Sequence, residues 1–262
     1  MIFHWQICSG MSHVLILGLE LGNYLSRSKE RGDRVQSLVS VIVPVYNEEK
    51  TLHEVLSRLE KIVEKINMEI IVVDDGSIDR TANIARSFQL VKLVSHERNL
   101  GKGAAIASGL THSKGDVIVV QDADLEYLPE EIPRIVQPIL ENRGDAVYGS
   151  RFMGRCEEMR GVHRIGNVIL SLSASVLFRR RITDVMTGHK AFRKEVIEPI
   201  KLDEKGFGIE AEITAKLARN GCKFVEVPIR YTYRRKGLSK ITFKDGFSCL
   251  FAMVRSRFIG NQ

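Results

Sequence analysis

The sequence predicts an α/β fold with a mostly parallel central sheet and helices on both faces. Short runs of β-branched apolar residues alternate with segments of helical periodicity, and polar residues follow directly after three of these runs. Alternation of strands and helices is typical of a parallel sheet that is covered on both faces. The chain of 262 residues is long enough for one such domain or for two small ones.

The first predicted strand covers residues 38–45, a run rich in valine and isoleucine. Apolar residues three and four positions apart then predict a helix from Leu52 to Val63. The same criteria give further strands at 69–73, 91–95 and 116–120, and further helices at 80–88 and 104–110. Ligands bind beyond the carboxyl ends of the strands in such sheets, so a site is expected at that edge.

Polar clusters follow three of the predicted strands, at 46–48, 74–77 and 122–124. Asp122 and Asp124 are two residues apart in an extended segment, so their side chains face the same way. Two carboxylates that close repel each other unless a cation lies between them. Mg²⁺ or Mn²⁺ accepts such oxygen ligands and completes its shell with phosphate and water. The alternative is a turn or helix-cap pair, since Asp commonly caps helices.

Two neighbouring segments allow more than one interpretation. In the 74–77 cluster we assign Asp74 to capping the next helix and Asp75 to contacting a base or ribose. The segment Asn99–Gly103 is typical of an anion-binding loop at the start of a helix. It lacks the spacing of a P-loop, and a plain tight turn explains it at least as well. This segment is therefore left out of the predicted site.

The net charge of +7 favours an anionic partner: nucleic acid, an anionic membrane surface or a phosphorylated substrate. The basic residues gather in the second half of the chain without interleaved aromatic residues, so we expect no nucleic acid partner. The four scattered cysteines indicate reduced thiols in a cytosolic protein. No apolar run spans a bilayer and no secretory signal is recognised, so we expect a cytoplasmic protein, peripheral on the inner face of the membrane.

Residues 1–36 are interpreted as an N-terminal extension of unknown role, and 37–262 as a catalytic domain with a C-terminal membrane-proximal segment. Within that domain, apolar positions predict a helix between Val162 and Phe178, with basic residues before and after it. A core helix and a helix at the membrane surface both fit this pattern. In the second case Arg164 would contact an acceptor phosphate.

Four motifs occur in a fixed order, at 40–49, 73–77, 99–103 and 122–124. Together they resemble family two of the glycosyltransferases, which has the GT-A fold, and within it the branch of dolichol-phosphate mannose synthase and related polyprenyl-phosphate glycosyltransferases. The resemblance covers about residues 38 to 258. It implies a nucleotide-diphosphate sugar donor, a polyprenyl-phosphate acceptor, Mg²⁺ or Mn²⁺ as cofactor, and inversion at the anomeric carbon.

The resemblance also implies roles for individual residues. The implied nucleotide-sugar contacts are Pro44, Tyr46, Glu48, Val73, Asp75, Asp122, Ala123, Asp124, Arg151, Arg234 and Lys240. The implied metal ligands are Asp124, Glu126 and Asp122, with Asp124 the most direct. Glu126 stands where family members often have Gln. The expected catalytic residues are Asp124, Arg151 and Arg164.

Transfer to a lipid phosphate needs no strong general base, because a phosphate oxygen is already a nucleophile near pH 7. A neutral hydroxyl acceptor would need a carboxylate base, and the candidates are Asp184, Glu210 and Glu212. Two alternatives therefore stay open. The chain is either a family-two transferase acting on a polysaccharide or soluble acceptor, or a non-catalytic nucleotide-sugar-binding module.

Overall fold

The structure is a computed structural model, which describes residues 37–154, 156–157, 161–206, 208–232 and 243–258. The predicted N-terminal extension, 1–36, lies outside the described residues. The strands are β1 Val39–Val45, β2 Met68–Asp74, β3 Val91–Ser95, β4 Val117–Val120, β5 Ala146–Ser150, β6 Cys156–Glu157, β7 Lys190–Arg193, β8 Phe224–Pro228 and β9 Tyr231–Thr232. The helices are α1 Leu52–Val63, α2 Thr81–Arg86, α3 Lys102–His112, α4 Ile132–Leu140, α5 Gly161–Phe178, α6 Lys194–Ile197, α7 Ile209–Arg219 and α8 Phe243–Phe258.

Seven of the described strands form one sheet in the order β3-β2-β1-β4-β7-β5-β8. Neighbouring strands are parallel except at β7, which runs antiparallel to both β4 and β5. A second, smaller sheet pairs β6 with β9. The predicted mostly parallel sheet is confirmed, and each strand predicted in the first half lies within two residues of its observed bounds.

Alternate residues of the central strands pack against helices on opposite faces of the sheet. On one face Val41 and Val43 of β1 belong to the same buried cluster as Leu56 of α1. On the other face Ile42 belongs to a cluster with Ile106 of α3. Side chains alternate along a strand, and a strand buried on both faces is apolar throughout, which explains the continuous apolar runs. Helices on both faces are therefore confirmed.

No helix in the described part of the chain is both long enough and apolar enough to cross a bilayer. The helix predicted at 162–178 is α5, which packs against α8. One face of α5 is buried through Ser171 and Ala174. Its opposite face carries exposed apolar side chains: Ile165, Val168, Ile169, Leu172 and Val176.

Candidate active site

The polar clusters predicted from the sequence meet at one edge of the sheet because β2, β1 and β4 are neighbours. The first two clusters are joined directly. The backbone N–H of Asn47 donates to Ser77 Oγ at 3.0 Å, and Asn47 Oδ1 accepts from the backbone N–H of Ile78 at 3.0 Å. Asp74 Oδ1 accepts from the backbone N–H of Ser77 at 3.1 Å. Asp74 therefore closes this turn and is not a helix cap as predicted, since α2 begins only at Thr81.

Asp75 is buried and organises the loop that follows β3. Its carboxylate accepts from the backbone N–H groups of Leu100 at 2.9 Å and Gly101 at 2.7 Å. The ring of His96 lies between this carboxylate and Ser108, with Nδ1 2.7 Å from Asp75 Oδ1 and Nε2 2.8 Å from Ser108 Oγ. The nucleotide contact assigned to Asp75 stays a prediction. In this structure the carboxylate already binds three groups of the protein.

The segment Asn99–Gly103 forms a tight turn whose N–H groups bind the protein itself. Besides the two bonds to Asp75, the N–H of Gly103 donates to the carbonyl of Lys205 at 3.0 Å. A Cβ at Gly103 would collide with the carbonyl oxygen of Glu204, so glycine is needed for this close approach. Of the two interpretations of this segment, the structure supports the plain turn over the anion-binding loop.

Lys102 is a functional candidate that the sequence reasoning missed. Its Nζ lies 2.8 Å from Asp122 Oδ1 and 3.1 Å from Glu210 Oε1, and its side chain is 19% exposed. The sequence does contain a signal for it: a lysine between two glycines at the start of a predicted helix, next to the edge where the strands end. Lys102 thus provides a cation beside the Asp122-Ala123-Asp124 segment.

The loop after β4 is held in shape by its own residues. The amide Nε2 of Gln121 donates to the carbonyls of Asp122 and Tyr127 at 2.9 Å each. Leu125 has φ of 64°, a left-handed conformation that non-glycine residues adopt rarely. The N–H of Glu126 donates to Asp124 Oδ1 at 3.1 Å. The loop therefore gathers the three predicted metal ligands into one short segment.

Negative charge is crowded in this loop. Burial, followed by the neighbouring carboxylates of Asp122 and Glu126, raises the pKa of Asp124 to about 7. Among the described residues, no three His, Cys, Asp or Glu side chains form a complete metal site. Mg²⁺ is commonly held by only one or two carboxylates together with substrate phosphates. The carboxylate oxygens of this loop and their mutual repulsion therefore fit a divalent cation.

Glu126 is linked to the segment after β8. Its Oε2 accepts from the hydroxyl of Tyr231 at 2.7 Å, and its carbonyl accepts from the N–H of Thr232 at 3.1 Å. The ring of Tyr231 also packs edge-on against Tyr127, with 5.4 Å between ring centroids. A predicted metal ligand is thus fixed by residues more than a hundred positions away, which no local pattern indicates.

Arg151 is buried at the end of β5 and forms a two-point ion pair with Asp184. Nε donates to Oδ2 and Nη2 donates to Oδ1, each at 2.7 Å. The guanidinium carbon also lies 5.3 Å from the centre of the Tyr231 ring. Asp184 is fully buried, and Arg151 is 6% exposed. The predicted contact of Arg151 with the donor stays a prediction, and Asp184 is identified as its partner.

The turn before β7 adds a second buried ion pair and an unpartnered histidine. Lys190 Nζ binds Glu210 Oε2 and the carbonyls of Val185 and Thr187. His189 is fully buried, and among the described residues neither of its ring nitrogens has a hydrogen-bond partner. Burial lowers the pKa of His189 to about 3. Its ring packs against Tyr127, with 5.8 Å between centroids.

The remaining predicted residues are in varied surroundings. Pro44 is half-buried and Tyr46 is 38% exposed, whereas Glu48 and Ala123 are buried. The side chain of Val73 has no exposed surface and belongs to the core with Ile42, so it is inaccessible to a ligand in this structure. Arg164 is exposed near the start of α5. Arg234 and Lys240 lie outside the described residues.

The model of the family described as "Glycosyl transferase family 2" matches residues 40–200, more than half of the chain. The chain belongs to glycosyl transferase family 2. It is therefore a glycosyltransferase, and its sheet and helices have the GT-A arrangement that the resemblance implied.

Two named relatives align over most of this chain. The dolichol-phosphate mannosyltransferase of Pyrococcus furiosus is 36% identical over an alignment of 230 residues, which covers 83% of this chain and 63% of that protein. The polyprenol monophosphomannose synthase of Mycolicibacterium smegmatis is 32% identical over an alignment of 229 residues, which covers 82% of this chain and 84% of that protein. The chain thus spans less than two thirds of the Pyrococcus protein's length.

A solved structure shares the fold of this family 2 chain. Glucosyl-3-phosphoglycerate synthase from Mycobacterium tuberculosis, in complex with Mn²⁺, UDP and phosphoglyceric acid, superposes with a TM-score of 0.71. The alignment covers 92% of this chain and 84% of that chain at 22% sequence identity. An identity this low supports the fold alone.

Proposed function

We propose that this glycosyltransferase moves a sugar from a nucleotide-diphosphate donor to a polyprenyl phosphate at a membrane surface, with inversion and with Mg²⁺ or Mn²⁺ as cofactor. The two named relatives support the acceptor class, because their names specify dolichol phosphate and polyprenol monophosphomannose and each alignment covers more than four fifths of this chain.

The state of the candidate general bases carries this proposal. All three are engaged in ion pairs: Asp184 with Arg151, Glu210 with Lys102 and Lys190, and Glu212 with Lys216. A carboxylate held by a cation is a weak base, because proton uptake would break the pair. A hydroxyl acceptor would need a carboxylate base and these three candidates are engaged, whereas a phosphate acceptor supplies its own nucleophilic oxygen. The geometry therefore favours the phosphate.

The loop after β4 is where the cation would be held. Asp124, with Asp122 or Glu126, would supply the carboxylate oxygens. A bound cation would stabilise the negative charge that develops on the leaving diphosphate. The chain's own contribution is to hold these oxygens in place: the Gln121 amide fixes the loop, and Tyr231 fixes Glu126. Positioning and charge stabilisation then account for catalysis without a general base.

The exposed face of α5 supports a location at the membrane. Five apolar side chains on this face are exposed by 46% to 69%: Ile165, Val168, Ile169, Leu172 and Val176. The adjacent helix α8 adds Phe251, which is 64% exposed. Arg164 precedes this face and Arg179, Arg180 and Arg181 follow it, all exposed. Apolar side chains flanked by arginines suit the boundary of an anionic bilayer.

Transfer of radiolabelled sugar tests the reaction. The protein is incubated with a panel of labelled nucleotide sugars, polyprenyl phosphate, and Mn²⁺, Mg²⁺ or EDTA. We expect label in the organic-extractable lipid only when a divalent cation is present. Label in a water-soluble product would favour the polysaccharide or soluble acceptor. Nucleotide binding without transfer to any acceptor would favour the non-catalytic binding module.

Flotation with vesicles that contain an anionic lipid tests the membrane face. The variant Leu172→Ser/Val176→Ser should bind vesicles less than the unmodified protein, because it removes apolar area from the exposed face of α5. The control Ile78→Ser/Leu90→Ser removes two exposed apolar side chains elsewhere, at 90% and 54% exposure. Equal loss of binding in both variants would contradict the assignment of this face.

A further inference from the structure

Lys102 is held in place from both ends. At its backbone, the turn of residues 99–103 is bonded to Asp75 and to Lys205. At its side chain, Nζ binds Asp122 and Glu210 at 2.8 and 3.1 Å. Glu210 in turn binds Lys190, which is 1% exposed. Lys102 is therefore a fixed cation in a chain of alternating charges and not a mobile surface lysine.

The partner of Lys102 is also closely confined. Asp122 Oδ1 faces Lys102, and a Cβ at Gly188 would collide with Asp122 Oδ2. Asp122 thus has one oxygen ion-paired and the other against the backbone of the turn before β7. The neighbouring carboxylates of Asp124 and Glu126 have no comparable lysine among the described ion pairs. Of the three carboxylates in this loop, the ammonium of Lys102 therefore pairs with Asp122 in the described part of the chain.

We propose that Lys102 is a resident counter-ion of the donor site, which neutralises Asp122 before any ligand arrives and makes the divalent cation bind together with the nucleotide diphosphate instead of ahead of it. This inference rests on the proposed function, because it assumes a cation and a diphosphate at this loop. Lys102 acts as a positioning residue through Asp122 and takes no part in bond breaking.

The physical reason is the sum of charges. A divalent cation approaching the ligand-free loop is attracted by three carboxylates and repelled by the ammonium of Lys102. A diphosphate adds negative charge on the same side, which offsets this repulsion and is itself attracted by Lys102. Each ligand therefore improves the site for the other. Without Lys102 the cation should bind well alone, and the diphosphate should bind poorly alone.

Mn²⁺ binding measured by electron paramagnetic resonance tests this inference without an activity assay. In the absence of nucleotide, Lys102→Met should bind Mn²⁺ more tightly than the unmodified protein, on the order of tenfold. GDP and UDP, measured by calorimetry in EDTA, should bind more weakly to the same variant. The gain in Mn²⁺ affinity on adding either nucleotide should shrink. Lys102→Arg keeps the charge and should behave like the unmodified protein.

Two further variants test whether the change in Mn²⁺ affinity is specific to Lys102 and whether its direction follows the charge that is removed. Lys92→Met removes a lysine of β3 and should leave Mn²⁺ binding unchanged. Among the described contacts its Nζ donates only to the carbonyl of His112, at the other end of α3 from Lys102. Glu210→Gln removes the competitor for Lys102, so Mn²⁺ alone should bind more weakly. Circular dichroism checks that each variant is folded. Opposite signs for Lys102→Met and Glu210→Gln would support the inference even if one variant is destabilised.

Equal or weaker Mn²⁺ binding by folded Lys102→Met would overturn the inference, as would undetectable Mn²⁺ binding by both this variant and the unmodified protein. The proposed reaction is judged separately by lipid labelling. A protein that transfers sugar while Lys102→Met leaves Mn²⁺ affinity unchanged would retain the proposed function and lose this inference. If Lys102→Met alters Mn²⁺ affinity but the protein transfers no sugar, this inference is retained and the proposed function is lost.

Discussion

The two halves of the central sheet differ in how their charged residues are compensated. In the half β3-β2-β1-β4, the polar residues follow the strands directly, and Asp124 lies between two other carboxylates that help raise its pKa to about 7. In the half β7-β5-β8, the buried charges are paired with partners far along the chain, as in Arg151 with Asp184. The first half therefore has negative charge available to bind a ligand, whereas the buried charges of the second half are neutralised by partners within the protein.

This difference indicates a division of labour. An uncompensated buried charge is costly, and a protein retains one where a ligand completes it. A buried ion pair adds little to stability by itself, but removing one partner is strongly destabilising. Substitutions in the first half should therefore affect ligand binding and catalysis more than stability, and substitutions in the second half should do the reverse.

The largest effect is expected from Asp124→Asn. Transfer should fall about 100-fold or more, because a ligand of the proposed cation is lost. Stability should not fall at pH 8, since the folded state raises the pKa of Asp124 and the charged carboxylate therefore destabilises the cation-free fold above that pKa. Labelled-sugar transfer and urea unfolding measure the two quantities. Full activity in the variant would remove Asp124 from the proposed site.

The next largest effect is on stability. Asp184→Asn leaves the buried guanidinium of Arg151 without its anion and should lower the free energy of unfolding by about 3 kcal/mol. The control is Glu198→Gln, which breaks a solvent-exposed pair with Lys194 and should cost less than about 0.5 kcal/mol. Urea unfolding at pH 7.5 compares them. Similar losses in both variants would contradict the contrast between the two halves.

The pH dependence of the free energy of unfolding should show that His189 is buried in its neutral form. Its folded-state pKa of about 3 lies below the ordinary value, so its contribution is fully present above about pH 6.5 and is lost as the pH falls. Between pH 7.5 and 5.0 the unmodified protein should lose about 2 kcal/mol more than His189→Leu. The exposed His53 provides a control, because His53→Asn should keep the full pH dependence. An unchanged slope in His189→Leu would show that this ring is not buried in its neutral form.

The smallest effect concerns the link between the halves. Tyr231→Phe removes the hydrogen bond to Glu126 and should weaken the apparent Mn²⁺ affinity in the transfer assay about fivefold, equivalent to about 1 kcal/mol. Tyr148→Phe removes a comparable buried bond, to Thr214, and should change stability without changing the Mn²⁺ requirement. If Tyr148→Phe changed the Mn²⁺ requirement and Tyr231→Phe did not, the role of Tyr231 in positioning a metal ligand would be contradicted.

The sequence was sufficient to predict the first half of the sheet because its information is local. An apolar run marks each strand, and the residues after the run lie at the edge where ligands bind, so the segment 122–124 could be placed before the structure was known. The ion pair of Lys102 with Asp122 could not be predicted, since it depends on how closely α3 packs on the sheet. The bonds from Asp75 to the backbone N–H groups of Leu100 and Gly101 could not be predicted either, since backbone partners leave no pattern in the sequence.

The second half of the sheet was harder to predict from the sequence, and the reason is its topology. The antiparallel strand β7 enters the sheet from a segment distant in sequence, and it places the turn of residues 185–189 beside Asp122. Asp184 and Glu210 were proposed as bases from their residue type alone, and only the fold shows the cations that engage them. Strand order across a crossover is a property of the whole chain and leaves no periodic signal near either residue.

The exposed apolar face of α5 also has a practical consequence for work with the purified protein. Contiguous apolar side chains in water promote association between copies. In buffer alone, copies of this chain are expected to form aggregates through Leu172, Val176 and their neighbours, increasingly so at higher concentration. A mild detergent or lipid nanodiscs should keep it monodisperse, so sample preparation for crystallisation or cryo-microscopy should begin with an amphiphile present.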